Sequence, residues 1–199
     1  GTYFVCFNDS KPPFDDVRVR KAFNLAINRD VIAKKLLRRG EIASRGFVPE
    51  NMKRADGGSW REATGDLIGP MNAVEAKRLL KEAGYGAGKA FPQIEYCYDS
   101  KEEHRMIAEQ LQAMWKGALG VDVKLQPVEW GVRVSRGRSG DFQLIRNGWY
   151  GDYLDAMTFL EMFITGSALN DSKYSNAKYD ELIAKARAVV GDGPTYVSF

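Results

Sequence analysis

Residues 94–125 constrain the fold more than any other part of the chain. Residues 94–98, Ile-Glu-Tyr-Cys-Tyr, are short, apolar and β-favouring, as a buried strand is. Residues 102–118 then carry Ile107, Leu111, Met114 and Ala118 at helical spacing, flanked by Ala108 and Trp115. Gly120 releases Val121-Asp122-Val123-Lys124-Leu125, a period-two alternation that reads as a second strand. Strand, helix and strand in that order predict parallel strands with helices packed on their faces.

The rest of the chain repeats these parts. Residues 2–8 read as a first strand, broken by Pro12-Pro13. A helix follows with Asp15 or Asp16 at its N-terminus and Val19, Ala22, Phe23, Ala26 and Ile27 as its apolar stripe. A second helix is expected over 30–39, stopped by Gly40. Its Lys34, Lys35, Arg38 and Arg39 read as a solvated end that favours cations. Residues 41–71, rich in glycine with Pro49 and Pro70, read as a long irregular excursion. Asn72 caps a helix to about residue 83, with Glu75 as its capping-box partner. The last helix is expected to run to Val190, with Tyr179, Leu182, Ile183 and Ala186 on one side. Gly191-Asp192-Gly193-Pro194 breaks it, so residues 191–199 form an atypical or truncated tail. The predicted fold class is α/β: a mostly parallel sheet flanked by helices.

Residues 139–160 carry the chemistry. Gly140-Asp141 is a turn signal, and residues 142–146 read as a strand that ends in Asn147-Gly148, a pair tolerant of left-handed backbone. Trp149, Tyr150, Gly151, Asp152 and Tyr153 follow, and helical spacing resumes over 154–164. Two readings stand side by side. The aromatics cover a core edge and Asp152 caps the next helix, or the loop holds a ligand in the crevice beyond the strand ends.

Several classes of function are excluded. The net charge is only +3, and the 29 Lys and Arg are scattered, which argues against a nucleic-acid surface. No apolar run approaches the length of a membrane span. Gly84, Gly86 and Gly88 follow a helix and lack dinucleotide-fingerprint spacing. No nucleophile elbow, phosphate loop or paired histidines is present, so no enzyme is read here. His104, the single histidine, reads as a surface or capping residue. No cofactor or metal site is implied. Cys6 and Cys97 fall in predicted strands and read as buried thiols, with a disulfide open to them only if those strands are neighbours.

Residues 128–130 (VEW), 136–142 (RGRSGDF) and 146–153 (RNGWYGDY) resemble the oligopeptide- and dipeptide-binding proteins of bacterial ABC importers, solute-binding family 5. So do residues 11–22 (KPPFDDVRVRKA), 26–29 (AINR), 75–85 (EAKRLLKEAGY) and 174–176 (YSN). The resemblance covers about residues 2–187 in order. It implies a type II periplasmic-binding-protein lobe, residues 1–190 being the C-terminal lobe of a two-lobed protein. It also implies an extracytoplasmic location, periplasmic or at the cell surface, with a lipid anchor on the parent as one arrangement.

The partners implied are a peptide ligand, the N-terminal lobe of the parent and a cognate ABC permease. The lobes close by a hinge, and Asp152 takes the position that receives a peptide's α-ammonium. Trp130, Trp149 and Tyr150 would wall the cleft. Arg146 would either meet a ligand carboxylate or carbonyl or brace Asp152. Oligopeptide binders often carry a cation near the slot that Gly137 occupies, and Arg136 or Arg138 stands ready to substitute. Related receptors take haem, nickel complexes or oligosaccharides, and an interaction domain that binds no solute is the other alternative. The segment 41–71 would cover part of the cleft. A single lobe presents half of a ligand's partners, so the isolated chain is expected to bind peptide weakly or undetectably.

Overall fold

A computed structural model describes residues 1–188, apart from residues 55, 87 and 88. The expected tail at 191–199 and Val190 of the last helix lie outside the described residues.

Four strands form one mixed sheet: β1 (Thr2–Phe7), β2 (Ile94–Asp99), β3 (Val123–Val128) and β4 (Leu144–Trp149). Their spatial order is β1-β4-β2-β3. β2 runs parallel to both β3 and β4, as the strand–helix–strand pattern requires, and β1 closes the other edge antiparallel to β4. The central β2 is buried along almost its whole length. β3 is an edge strand, which lets it carry Pro127, a residue that would interrupt a central ladder.

α1 (Val17–Leu25), α3 (Ala73–Glu82) and α4 (Glu102–Leu119) cover one face. Their stripes meet Val5, Phe7, Ile94, Tyr96, Tyr98, Val123 and Leu144 in the main core. Trp115 sits at its centre, fully buried, with its indole N–H donating to Phe23 O at 3.1 Å. Phe23 in turn packs edge-on against Phe14, ring centroids 5.1 Å apart. α5 (Trp130–Ser139) lies beside β2, and a smaller cluster of Cys6, Cys97, Phe142 and Ile145 packs separately from the main core.

Register settles the cysteines. Cys6 and Cys97 both pair with Ile145, one from β1 and one from β2, so β4 separates them. Two strand spacings make about 10 Å, beyond the roughly 7 Å that a disulfide spans between Cα atoms. Both are free, buried thiols, and burial pushes the Cys6 thiol far up.

Some local expectations give way to tertiary contacts. β4 takes in Asn147 and Gly148, expected to end the strand, because Phe4 and Tyr3 of β1 pair with them. The second helix is a short π-helix, Val31–Leu37, and ends at Arg38 in the left-handed region, φ 59°, before Gly40 is reached. The expected helix at 154–164 contracts to α6 (Met157–Leu160) and a 3-10 turn, Glu161–Phe163. Asp155 receives the Met157 N–H at 2.7 Å and so caps this shorter helix. The segment 41–71 is partly ordered by a Lys53–Ser59 bridge and by α2 (Trp60–Thr64). Its Val48 and Trp60 are buried against Ala156 and Phe159. α7 (Ala177–Ala188) is the last described helix.

Asn72 caps α3 as read, its side-chain oxygen receiving the Glu75 N–H at 3.0 Å. The reciprocal half of the box is not made. The Asn72 N–H donates to Leu25 O, and Glu75 pairs with Arg78. Asn72→Ala is expected to cost about 1 kcal/mol, the usual worth of such a cap, read as a lower urea midpoint with unchanged slope.

Candidate functional site

The candidate residues leave the sheet at one end. β2, β3 and β4 are parallel, so Asp99, Glu129-Trp130 and Trp149-Tyr150 all lie at their carboxyl ends. β2 stands between the exits of β3 and β4, so those two strand ends lie roughly 10 Å apart with Trp130 following one and Trp149 ending the other. A recess of about 390 Å³ lined by Leu80, Tyr85, Phe91, Leu119 and Val121 lies at the opposite end, where β2 and β3 begin.

The loop after β4 is held from below by Thr158, a buried hydroxyl on α6. Its Oγ1 accepts the Trp149 indole N–H at 3.3 Å and the Asp152 backbone N–H at 3.1 Å. Gly151 permits this approach, since a Cβ there would meet Thr158 Cγ2 at 2.9 Å. Asp152 is thereby fixed through its backbone while its side chain stands in solvent. Among the described residues no hydrogen bond or ion pair takes up its carboxylate, and Asp155, not Asp152, caps α6. Tyr150 is 83% exposed and Trp130, the first residue of α5, 61% exposed. Trp149 is more embedded and packs against the cluster of Val48, Trp60 and Phe159. The segment 41–71 thus supports this loop from beneath.

Arg146 does not reach Asp152. Its Nη1 lies 3.4 Å from Asp99 Oδ1, and its guanidinium stacks over the Tyr3 ring, 4.9 Å from the centroid. Arg146 thus braces Asp99 and not Asp152. Asp99 is 2% exposed at the end of β2. His104 Nε2 lies 3.1 Å from its carboxylate and Arg133 Nε 3.7 Å. His104 is not the surface residue expected: it is 7% exposed on the first turn of α4. Burial first, and the Arg146 charge second, hold its pKa below the usual histidine value. Burial likewise lowers that of Arg133, opposed by Asp99. His104 Nδ1 and the Nε atoms of Arg133 and Arg146 are buried without hydrogen-bond partners. The polar cluster at these strand ends thus sets one carboxylate against two guanidiniums and a histidine, with buried nitrogens left unpartnered.

Arg136 and Arg138 are not brought to this rim. They lie about 9 and 12 Å along the α5 axis from Trp130, at 1.5 Å per residue. Arg136 donates to Gln126 on β3, and Arg138 is exposed while its carbonyl accepts Lys173 Nζ at 2.8 Å. Helical rise, invisible when residues are counted along the chain, separates them from the loop. Asp99, His104, Arg133 and Thr158 were missed as site residues. The signals were slight: Asp99 ends a strand, and Thr158 is a lone hydroxyl beside Met157 and Phe159. No group of three or more His, Cys, Asp or Glu suited to a metal occurs among the described residues.

Comparison with known proteins places this arrangement. Over 94% of this chain it is 39% identical to the dipeptide-binding protein DppE of Bacillus subtilis. Over 94% it is 36% identical to the periplasmic murein peptide-binding protein MppA of Escherichia coli. In each case it spans 34% of the relative's length. The crystal structure of Haemophilus influenzae OppA in complex with RPPGFSPFR superposes with a TM-score of 0.85 at 33% identity, covering 98% of this chain and 38% of that one. The class is thus a single lobe of the type II binding-protein fold. The profile of bacterial extracellular solute-binding proteins, family 5 (Middle), matches residues 1–171, and the chain belongs to that family.

Proposed function

We propose that residues 1–190 are the C-terminal lobe of an extracytoplasmic substrate-binding protein that captures peptides and delivers them to an ABC permease. The lobe binds and releases; it performs no covalent chemistry, takes no cofactor and engages no nucleic acid. The observation that carries this reading is the Asp152 carboxylate, exposed and unpaired on a loop pinned through Thr158. An unpaired acid on a fixed backbone suits a cation that arrives with the ligand. A peptide's α-ammonium, stripped of water as the N-terminal lobe closes, requires such a counter-charge.

Trp130 and Tyr150 then flank an extended ligand, with Trp149 as the wall between loop and core. Main-chain pairing gives affinity without reading side chains. The unused Nε–H of Arg146 lies below, suited to a ligand carbonyl or carboxylate. The peptide-binding names of DppE and MppA, and the OppA complex with RPPGFSPFR, support peptide over other solutes.

Calorimetric titration of the full-length parent with pools of peptides two to five residues long tests the reading. Saturable binding in the micromolar range or tighter is expected. A parent that takes up no peptide, yet is stabilised by haem, a nickel complex or an oligosaccharide, would overturn it. The isolated lobe is expected to give no measurable heat with the same pools.

A further inference from the structure

We propose that Asp171 is a positioning residue for the ligand cleft, tying α5 to the end of β4 through Gly137 and Asn147. The inference deepens the peptide-binding reading and rests on it for its affinity arm.

Asp171 lies far from Asp152 in sequence, on the segment between α6 and α7, and does not reach the exposed rim. Its Oδ2 accepts the Asn147 side-chain N–H at 3.0 Å. Its carboxylate fills the gap that Gly137 leaves on α5: a Cβ at 137 would stand 2.6 Å from Oδ2 and 3.0 Å from Cγ. Gly137 is thus the seat of an acidic side chain, which explains why no cation stands at that position. Asn147 passes the contact on. Its Oδ1 accepts the Gly148 N–H at 2.9 Å and lies 3.5 Å from Arg133 Nη1. Arg133 continues to Asp99, and Asp99 to Arg146.

The result is one polar chain, Asp171–Asn147–Arg133–Asp99–Arg146, running beneath both tryptophan-bearing exits. Two carboxylates balance two guanidiniums along it. The strap that carries Asp171 is itself anchored. Asn170 donates to the carbonyls of Ile164 and Tyr174, the Asp9 N–H donates to Ser172 O, and Lys173 donates to Arg138 O. A carboxylate so fixed sets the spacing between α5, which presents Trp130, and β4, which presents Trp149 to Asp152.

Burial raises the Asp171 pKa, opposed by Arg133, Lys173, the Asn147 hydrogen bond and Arg138. The charged or titratable groups that act with it are Arg133 and Arg138 from α5, Lys173 from its own strap and the buried Cys6 thiol of β1. Mild acid therefore neutralises Asp171 before an ordinary carboxylate and weakens the link.

The test uses the full-length parent, as wild type, Asp171→Ala, Asp171→Asn and Gly137→Ala. Asp171→Ala is expected to weaken peptide binding roughly tenfold, within the range of indirect coupling between sites. Asp171→Asn, which still accepts from Asn147, should restore much of it and remove the part of the acid loss that wild type owes to Asp171. Gly137→Ala should mimic Asp171→Ala by displacing the carboxylate. Affinity within twofold of wild type in Asp171→Ala overturns the proposal. So does a loss that tracks thermal stability alone, with Asp171→Asn no better than Asp171→Ala.

If wild type itself binds no peptide, the functional reading fails and a second measurement decides this one. In protein labelled with 15N at tryptophan and glycine, Asp171→Ala should move the Trp149 indole and Gly148 resonances while distant glycines stay fixed. Unmoved resonances overturn it.

Discussion

Asp99→Ala is expected to destabilise the lobe by about 3–5 kcal/mol, the range found when one member of a buried ion pair is removed. Asp99 is the only carboxylate within 4 Å of Arg146 among the described residues, and His104 Nε2 lies 3.1 Å from it. Its side chain is 3% exposed, those of Arg133 and Arg146 9% and 18%, so water cannot replace it cheaply. Deleting it leaves Arg146 buried beside Tyr3 with nothing to neutralise it, and Arg133 with only the more distant Asp171. By contrast, the exposed pairs Arg105–Glu102 and Lys185–Glu181, screened by water, should contribute little, and removing either should leave the urea midpoint nearly unchanged. Urea denaturation followed by far-UV dichroism reads both. A loss below about 1 kcal/mol for Asp99→Ala would mean that the guanidiniums find water or other partners.

Asp152→Ala in the full-length parent is expected to cost roughly 2–5 kcal/mol of peptide affinity, about 30-fold to several thousand-fold in Kd. Fold stability should hardly change, because the side chain is exposed and its backbone N–H bond to Thr158 survives the substitution. The split between unchanged melting and lost binding separates a ligand contact from a structural acid. Acetylating the peptide's amino terminus should weaken binding to wild type by a similar factor and leave binding to the variant nearly unaltered. Equal sensitivity of the two proteins to acetylation would place the ammonium elsewhere. Asp152→Asn tests charge against hydrogen bonding. It should recover little, since the buried ammonium needs a negative partner.

These two aspartates differ in how much of their setting is written along the chain. Asp152 stands in a run of Trp, Tyr, Gly and Asp whose residues alone left a core-edge cover and a ligand loop both open, and the family resemblance singled it out. Asp99 closes an ordinary strand, and its importance arises from Arg133, Arg146 and His104, which come from α5, β4 and α4. Arg136 and Arg138 fail in the opposite sense. They are close to Trp130 in sequence and carried away from it by the helix they belong to.

The parts and their order are legible along the chain: apolar periodicities of 3.6 and 2 mark the helices and strands, glycines and Asn72 mark helix ends, and the run from Arg146 to Tyr153 marks the loop. Those signals are local, written within a turn or two of the residues concerned. Which strand flanks which, the placing of Ile145 between the two cysteines and the drawing of Asn147-Gly148 into β4 by β1 emerge only from pairing in three dimensions. The same holds for the buried acid on β2, which gathers two guanidiniums and a histidine from three elements. Strand neighbours and buried ion clusters join residues tens of positions apart, and a single chain's local preferences carry no term for such pairings.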